Sequence, residues 1–470
     1  MDELYYMPAT ELAAVIAARR VSAREATDAA LARIEVTEPT LNAFVTVCAE
    51  RARDEADAVD ARLAKGETVG PLAGVPLSVK DLVNTEGVRT TFGSAVFEHN
   101  VPAKDAVAVA RLRAAGAVLV GKTATPEFGH KPITYTPLFG WTANPWDTSR
   151  SPGGSSGGAA AAVAAGGGPL GLGTDGGGSI RIPAACCGIV GMKASLGLVP
   201  HDQTPDVFNN LAYFGPMTRT VDDAALMLSV MAGADPSDPH SLRLPGFAPP
   251  ARRDDLKGLK LAWAPRLGNE VVAEDVLAAS QAAVAALADA GAEVELLDEP
   301  FENAEPMWRV MTFAAWAARF GAHAETFVNR MDPTLVESME KGRGFGAVEL
   351  QQAMGFRSVL YKRFAGWFER YDGLVTPTLS RTAVDQRQEL FGPFEIDGQR
   401  VESLRADWYP YTHPFNLTGH PAITIPNGFG GDGLPLALQL VGPWDSDGLL
   451  LQIAGLLERA RPWAERRPPL

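Results

Sequence analysis

At 470 residues with 46% apolar side chains, the chain can form two or three average domains or one large α/β domain, and it can fill a sizeable core. Its 42 basic and 56 acidic residues leave a net charge of −14, which argues against a nucleic-acid surface, since that needs clustered Lys and Arg. Cys48, Cys186 and Cys187 cannot build a disulfide framework, Met1 to Arg20 does not read as a secretory leader, and the apolar runs fall short of a bilayer span. A cytoplasmic protein that engages no membrane is expected.

In chain order, Thr10 to Arg20 and Ser22 to Ile34 are predicted helices, the second opened by a capping box between Ser22 and Glu25. Leu41 to Val47 alternates like a strand, and Ala49 to Lys65 is helical with its charges on one face. Gly74 to Asp81 is a short apolar run ending in Lys80 and Asp81, and Val107 to Gly121 predicts a helix followed by the strand Ala117 to Val120. A helix followed by a buried strand recurs at Glu274 to Leu297 and at Gln351 to Thr376, with Asp372 to Pro377 as the last strand. Such alternation predicts a mixed or largely parallel sheet with helices on both faces. The Pro-rich stretch Pro236 to Pro250 is the candidate surface excursion between two halves of one domain.

The densest chemistry lies between Ser149 and Pro183. Two glycine-rich segments, Gly153 to Gly158 and Gly176 to Ser179, flank an alanine-rich run that reads as a helix. So many glycines make sense where the backbone takes positive φ or closely approaches another group. Three successive glycines before Ser179 can aim several N–H groups into one concavity, a ready oxyanion hole. A serine hydroxyl needs a base, and the seven histidines are scattered. Lys80 is the alternative, because burial lowers an ammonium pKa from about 10.4 towards neutrality. Ser155 could then pass a proton between Lys80 and Ser179.

These segments, with Gly74 to Asp81, Gly121 to Gly129, Gly215 to Thr220 and Asn416 to Ala422, resemble the motifs of the amidase signature family. The resemblance is dense over about 70–233, returns over about 371–460, and is thin over the intervening 235–370, which the family uses for its substrate pocket. It implies one α/β domain over 1–470, with a central mixed sheet flanked by helices on both faces. It implies Ser179 as the acylated nucleophile, Ser155 in a cis peptide after Gly154 as proton shuttle, and Lys80 as base. The backbone N–H groups of Gly176, Gly177, Gly178 and Ser179 correspond to the family's oxyanion hole. Asp175 and Arg181 correspond to a structural ion pair. No metal or cofactor is implied. One departure is Gly176, where the family more often carries Thr or Ile; a glycine there opens space beside the nucleophile.

Taken singly, a lysine at a strand end is a solvated cap and a serine among glycines is a turn residue. The joint occurrence of Lys80, Ser155 and Ser179, in order and at family spacing, outweighs those readings. Rival patterns fail on context. Gly171 to Gly176 fits a dinucleotide fingerprint, but Pro183 interrupts where a helix and a later acid are needed. Gly153 to Gly157 fits a nucleophile elbow, with Ser155 attacking and His413 or His420 as base, but no buried strand precedes it. The expected activity is hydrolysis of small aryl or alkyl amides, extending to esters or carbamates, by a monomer or homodimer. The alternative is a component like the A-type chain of a tRNA-dependent glutamine amidotransferase complex. The aromatic residues between Phe301 and Phe320 and the run Trp408 to Tyr411 could line an apolar pocket, although core packing accounts for most of them.

Overall fold

The computed structural model describes residues 4–208, 210–244 and 246–470. The capping box forms: Ser22 Oγ accepts from the Glu25 backbone N–H, and the Glu25 carboxylate accepts from the Ser22 N–H. The helix it opens, Ala23–Leu41, runs past the predicted end at Ile34 and stops where Asn42 turns left-handed. The glycine- and alanine-rich run forms the helix Gly157–Ala164, buried at every residue. Its small side chains let it lie close against the sheet, where Gly171 faces Val163 and Ala159.

The strands are β1 (Phe44–Val47), β2 (Pro76–Lys80), β3 (Val118–Thr123), β4 (Tyr135–Thr136), β5 (Gly140–Trp141), β6 (Leu170–Asp175), β7 (Val190–Lys193) and β8 (Tyr213–Thr218). They continue as β9 (Lys260–Trp263), β10 (Glu293–Leu296), β11 (Gly373–Pro377), β12 (Phe394–Ile396), β13 (Gln399–Val401), β14 (Ala422–Phe429) and β15 (Pro435–Val441). Eleven of them form one sheet in the order β1-β3-β2-β6-β8-β7-β14-β15-β11-β9-β10. The β2–β3, β2–β6, β9–β11 and β9–β10 pairs are parallel and the others antiparallel, so the sheet is mixed as expected. β4–β5 and β12–β13 are separate two-stranded ribbons.

Strand alternation sends successive side chains into two cores, one on each face. On β9, Leu261 and Trp263 join one apolar cluster and Ala262 the other. On β2, Leu77 and Val79 enter one cluster, which leaves Ser78 and Lys80 for the opposite face. The prediction of a buried strand near Leu297 needs correction. β10 is one of the two edge strands and, among the described residues, pairs only with β9; Glu293 and Leu296 on it are exposed. Pro236 to Pro250 crosses the surface between the helix Val221–Met231 and β9, largely exposed apart from the buried Asp238 and Ser241; Pro245 lies outside the described residues. No helix among the described residues is long and apolar enough to cross a membrane.

Candidate active site

Lys80 ends β2 with its side chain fully buried. Its Nζ lies 2.7 Å from Ser155 Oγ, 2.9 Å from Ser156 Oγ and 2.9 Å from Thr174 Oγ1. No carboxylate among the described residues pairs with it. Burial pushes its pKa well below the ordinary lysine value, and the charge of Asp175 opposes the shift only in part. The Gly154–Ser155 peptide is cis, as the resemblance implied, and Ser155 and Ser156 immediately precede the helix Gly157–Ala164.

Ser179 follows the glycines that leave β6. Its backbone carbonyl accepts from the Ser156 N–H at 3.1 Å, which ties the two glycine-rich segments together. Its hydroxyl has no hydrogen-bond partner among the described residues and faces a cleft of about 480 Å³ that Ser155, Gly176 and Gly177 also line. Asp175 and Arg181 form a pair with both side chains wholly buried, 2.9 Å apart. Burial would raise the Asp175 pKa, but the Arg181 charge, with hydrogen bonds from Arg181 and Asn416, holds it far below the usual carboxylate range.

The glycine loop is gripped from outside. The Trp308 indole N–H donates to Gly176 O at 2.7 Å, and Thr412 Oγ1 donates to Gly177 O at 2.7 Å. Asn416 Nδ2 donates to Asp175 O at 2.9 Å, and Arg181 donates to Asn416 Oδ1 and Gln439 Oε1. Gly178 has φ of 118°, and a Cβ there would lie 2.5 Å from Thr412 Oγ1.

One expectation is corrected here. The Gly178 N–H is donated to Asp175 Oδ1 at 2.6 Å, so it is unavailable to an oxyanion. The N–H groups of Gly176, Gly177 and Ser179 have no partner among the described residues, which leaves three donors rather than four.

A family model described as Amidase matches residues 25–451. The chain belongs to the amidase signature family. It is 39% identical over 470 residues to an acylamidase of Rhodococcus erythropolis, covering 99% of this chain and 98% of that one. The A-type chain of the glutamyl-tRNA(Gln) amidotransferase of Thermosynechococcus vestitus is 37% identical, covering 96% of this chain and 97% of that one. Among solved structures, a bacterial aryl acylamidase of the amidase signature enzymes superposes with a TM-score of 0.90 at 30% identity, covering 99% of both chains. A 6-aminohexanoate cyclic dimer hydrolase complexed with substrate gives 0.85 at 29% identity, also over 99% of both. This amidase is therefore a hydrolase of amide carbon–nitrogen bonds built on the family's single-domain fold.

The cleft of the amidase draws on the thinly matched middle of the chain. Trp308, Met311, Trp316 and Phe320, all carried by the helix Glu305–Phe327, line it. Of the other aromatic candidates, Tyr409 lines the cleft. Phe313, Trp408 and Tyr411 are buried in the core, and Phe301 packs against Phe364 and Trp367. Cys186 and Cys187 are buried in the apolar core beside the site. His413 and His420 are buried and do not line the cleft. Burial pushes His413 well below its ordinary pKa and His420 to about 3. Sequence reasoning missed Ser156 and Thr174 as neighbours of Lys80. Ser156 lay in plain view within the motif, but only the backbone path decides that both adjacent hydroxyls face one amine.

Proposed function

We propose that this amidase cleaves small aryl or alkyl amides through an acyl-enzyme on Ser179, with Lys80 as the base and Ser155 as the proton shuttle. The observation that carries the reading is a fully buried, carboxylate-free Lys80 Nζ, 2.7 Å from Ser155 Oγ, in the cleft that Ser179 Oγ faces without a partner. A neutral amine has two N–H donors and one lone pair. The hydroxyl proton of Ser156 goes to Thr174 O at 3.2 Å, so Ser156 accepts from Nζ. With Thr174 Oγ1 taking the second N–H, the lone pair is left for the Ser155 O–H.

In the proposed cycle Ser179 Oγ bonds to the carbonyl carbon, its proton moves to Ser155 Oγ, and the Ser155 proton moves to Lys80 Nζ. The oxyanion is met by the N–H groups of Gly176, Gly177 and Ser179, where one such donor is worth about 10²–10³ in rate. Collapse breaks the C–N bond, and the amine leaves with the proton returned from Lys80 through Ser155. Water then repeats the sequence on the ester carbonyl and releases the acid. Proton transfer in this cycle needs a direct hydrogen bond between Ser155 Oγ and Ser179 Oγ, of the kind that tightens in a Michaelis complex. The apolar walls from Trp308, Met311 and Phe320 favour aryl and alkyl groups over glutamine, and the same chemistry extends to esters and carbamates.

The test is a screen of the isolated chain, read as a monomer or homodimer acting in the cytoplasm, on chromogenic anilides, primary amides, esters and carbamates. Ser179→Ala is expected to abolish turnover and Lys80→Ala to cost several orders of magnitude in kcat, about 10³ or more. Full activity in Lys80→Ala ends the relay. Activity that appears only with tRNA-binding partners would instead favour a role within an amidotransferase complex.

A further inference from the structure

The catalytic cleft has a neighbour. Phe128 and Phe320 stack face to face, with ring centroids 3.8 Å apart and planes within 11°. Both rings border the cleft on one side and a second chamber of about 390 Å³ on the other. Phe92 also lines both spaces. Phe92 and Phe128 have φ of 55° and 49°, a region that bulky side chains rarely adopt and that recurs at ligand clamps. Both are held there: the Phe92 N–H donates to Asp81 O at 3.0 Å and the Phe128 N–H to Phe92 O at 2.8 Å. The partition is thus hydrogen-bonded back to the residue that follows Lys80.

The far side of the partition has a definite chemistry. Phe97 stands edge-on to Phe128 at 6.0 Å, giving an aromatic wall. Lys104 and Arg319 are the cations facing the chamber, and no carboxylate among the described residues lines it. Neither cation makes an ion pair or a hydrogen bond among the described residues. Asp202 and Asp235 feel the charge of Lys104 only from beyond ion-pair distance, and Arg319 lies over the Phe320 ring at 5.0 Å. Two unpaired cations beside aromatic faces match a group that is planar and apolar at one end and anionic at the other. A guanidinium donates two parallel hydrogen bonds to a carboxylate.

We propose that this chamber is a second binding site, for an aromatic carboxylate. Such a group could arrive as the tail of an amide held in the cleft or as a free acid. Its existence does not depend on the hydrolytic reading, because binding needs no turnover.

The test titrates full-length Ser179→Ala by calorimetry with biphenyl-4-carboxylate and, separately, with biphenyl-4-methanol. The acid is expected to bind roughly tenfold more tightly than the alcohol, the scale of a charge-assisted pair. That preference should vanish in the added variant Lys104→Glu, whose side chain is exposed and lies only beyond the partition, and also in Arg319→Gln. Equal binding of the two probes, or a preference that survives Lys104→Glu, overturns the site, whatever Arg319→Gln does, because Arg319 also lines the catalytic cleft. The source is separated in the active enzyme by the ratio of kcat/KM for a biphenyl acetanilide with and without a 4′-carboxylate. A ratio that collapses about tenfold in Lys104→Glu identifies a tethered tail, and a constant ratio alongside acid binding identifies a free acid.

Discussion

At the scale of single residues, Lys80 is governed by what surrounds its amine. Burial pushes its pKa well down against the partial pull of the Asp175 charge, and Ser156 and Thr174 accept hydrogen bonds from Nζ, contacts of the kind that favour a charged amine. In the proposed relay Lys80 acts when neutral, so activity is expected on the alkaline side of its lowered pKa and is lost as the pH falls through it. Ser156→Ala removes an acceptor, lowers the pKa further, and should move the acid limb of the kcat/KM profile to lower pH. A loss of about tenfold in kcat is expected with it, the order of one hydrogen bond to a charged group. A profile unchanged in position would exclude contact between Ser156 and the working base. Lys80, Ser155 and Ser179 were legible in the sequence because each sits in its own short motif. The split between Ser155 and Ser156 was not, since two adjacent serines differ only in the backbone that aims them.

At the scale of elements, the loop from Asp175 to Ser179 is held by groups from the helix Glu305–Phe327 and from Thr412 and Asn416, which are remote in sequence. A Cβ at Gly176 would meet nothing within 4 Å, whereas at Gly177 it would lie 2.8 Å from the Trp308 ring. Gly176→Ala should therefore fold with stability within about 0.5 kcal/mol of the parent while narrowing the cleft, read as a rise in KM for bulky anilides. Gly177→Ala should lose activity and stability together, because the indole that holds Gly176 O must move. Asp175→Asn leaves Arg181 wholly buried without its counter-charge, and unfolding by denaturant should show a loss of about 3–5 kcal/mol. The open space at Gly176 was legible from the sequence as a departure from the family's usual residue. The use of the Gly178 N–H was not, because only the folded turn shows Asp175 Oδ1 claiming it before any substrate can.

At the scale of the whole molecule, the sheet buries charge as well as apolar surface. Lys193, at the end of β7, is fully buried with Nζ 3.8 Å from the centre of the Tyr213 ring. Burial, then the Arg181 charge, pulls its pKa down to about 7 against the partial pull of Asp175 and Asp447. The unfolded chain holds that proton up to about pH 10.4. Between about 7 and 10.4 the unfolded state therefore binds more protons, and this group's contribution to stability rises with pH; below about 7 its full cost is in place. Lys193→Met should raise Tm most at pH 6 and lose that advantage towards pH 10; a constant difference across that range would refute the buried, neutral reading.

By itself the sequence determined the element types over most of the chain, the family, and the three residues proposed for the chemistry. Periodicity, caps and glycine-rich motifs are local, and they act within a few residues of where they are written. Tertiary structure alone decided that β10 is an edge strand, that three N–H groups rather than four stay free beside Ser179, and that Trp308 and Phe320 wall the cleft while Phe313 lies in the core. Those outcomes depend on which distant segment packs where, and the hydrophobic effect that drives packing is non-directional, so apolar spacing cannot say which ring meets substrate and which meets another ring.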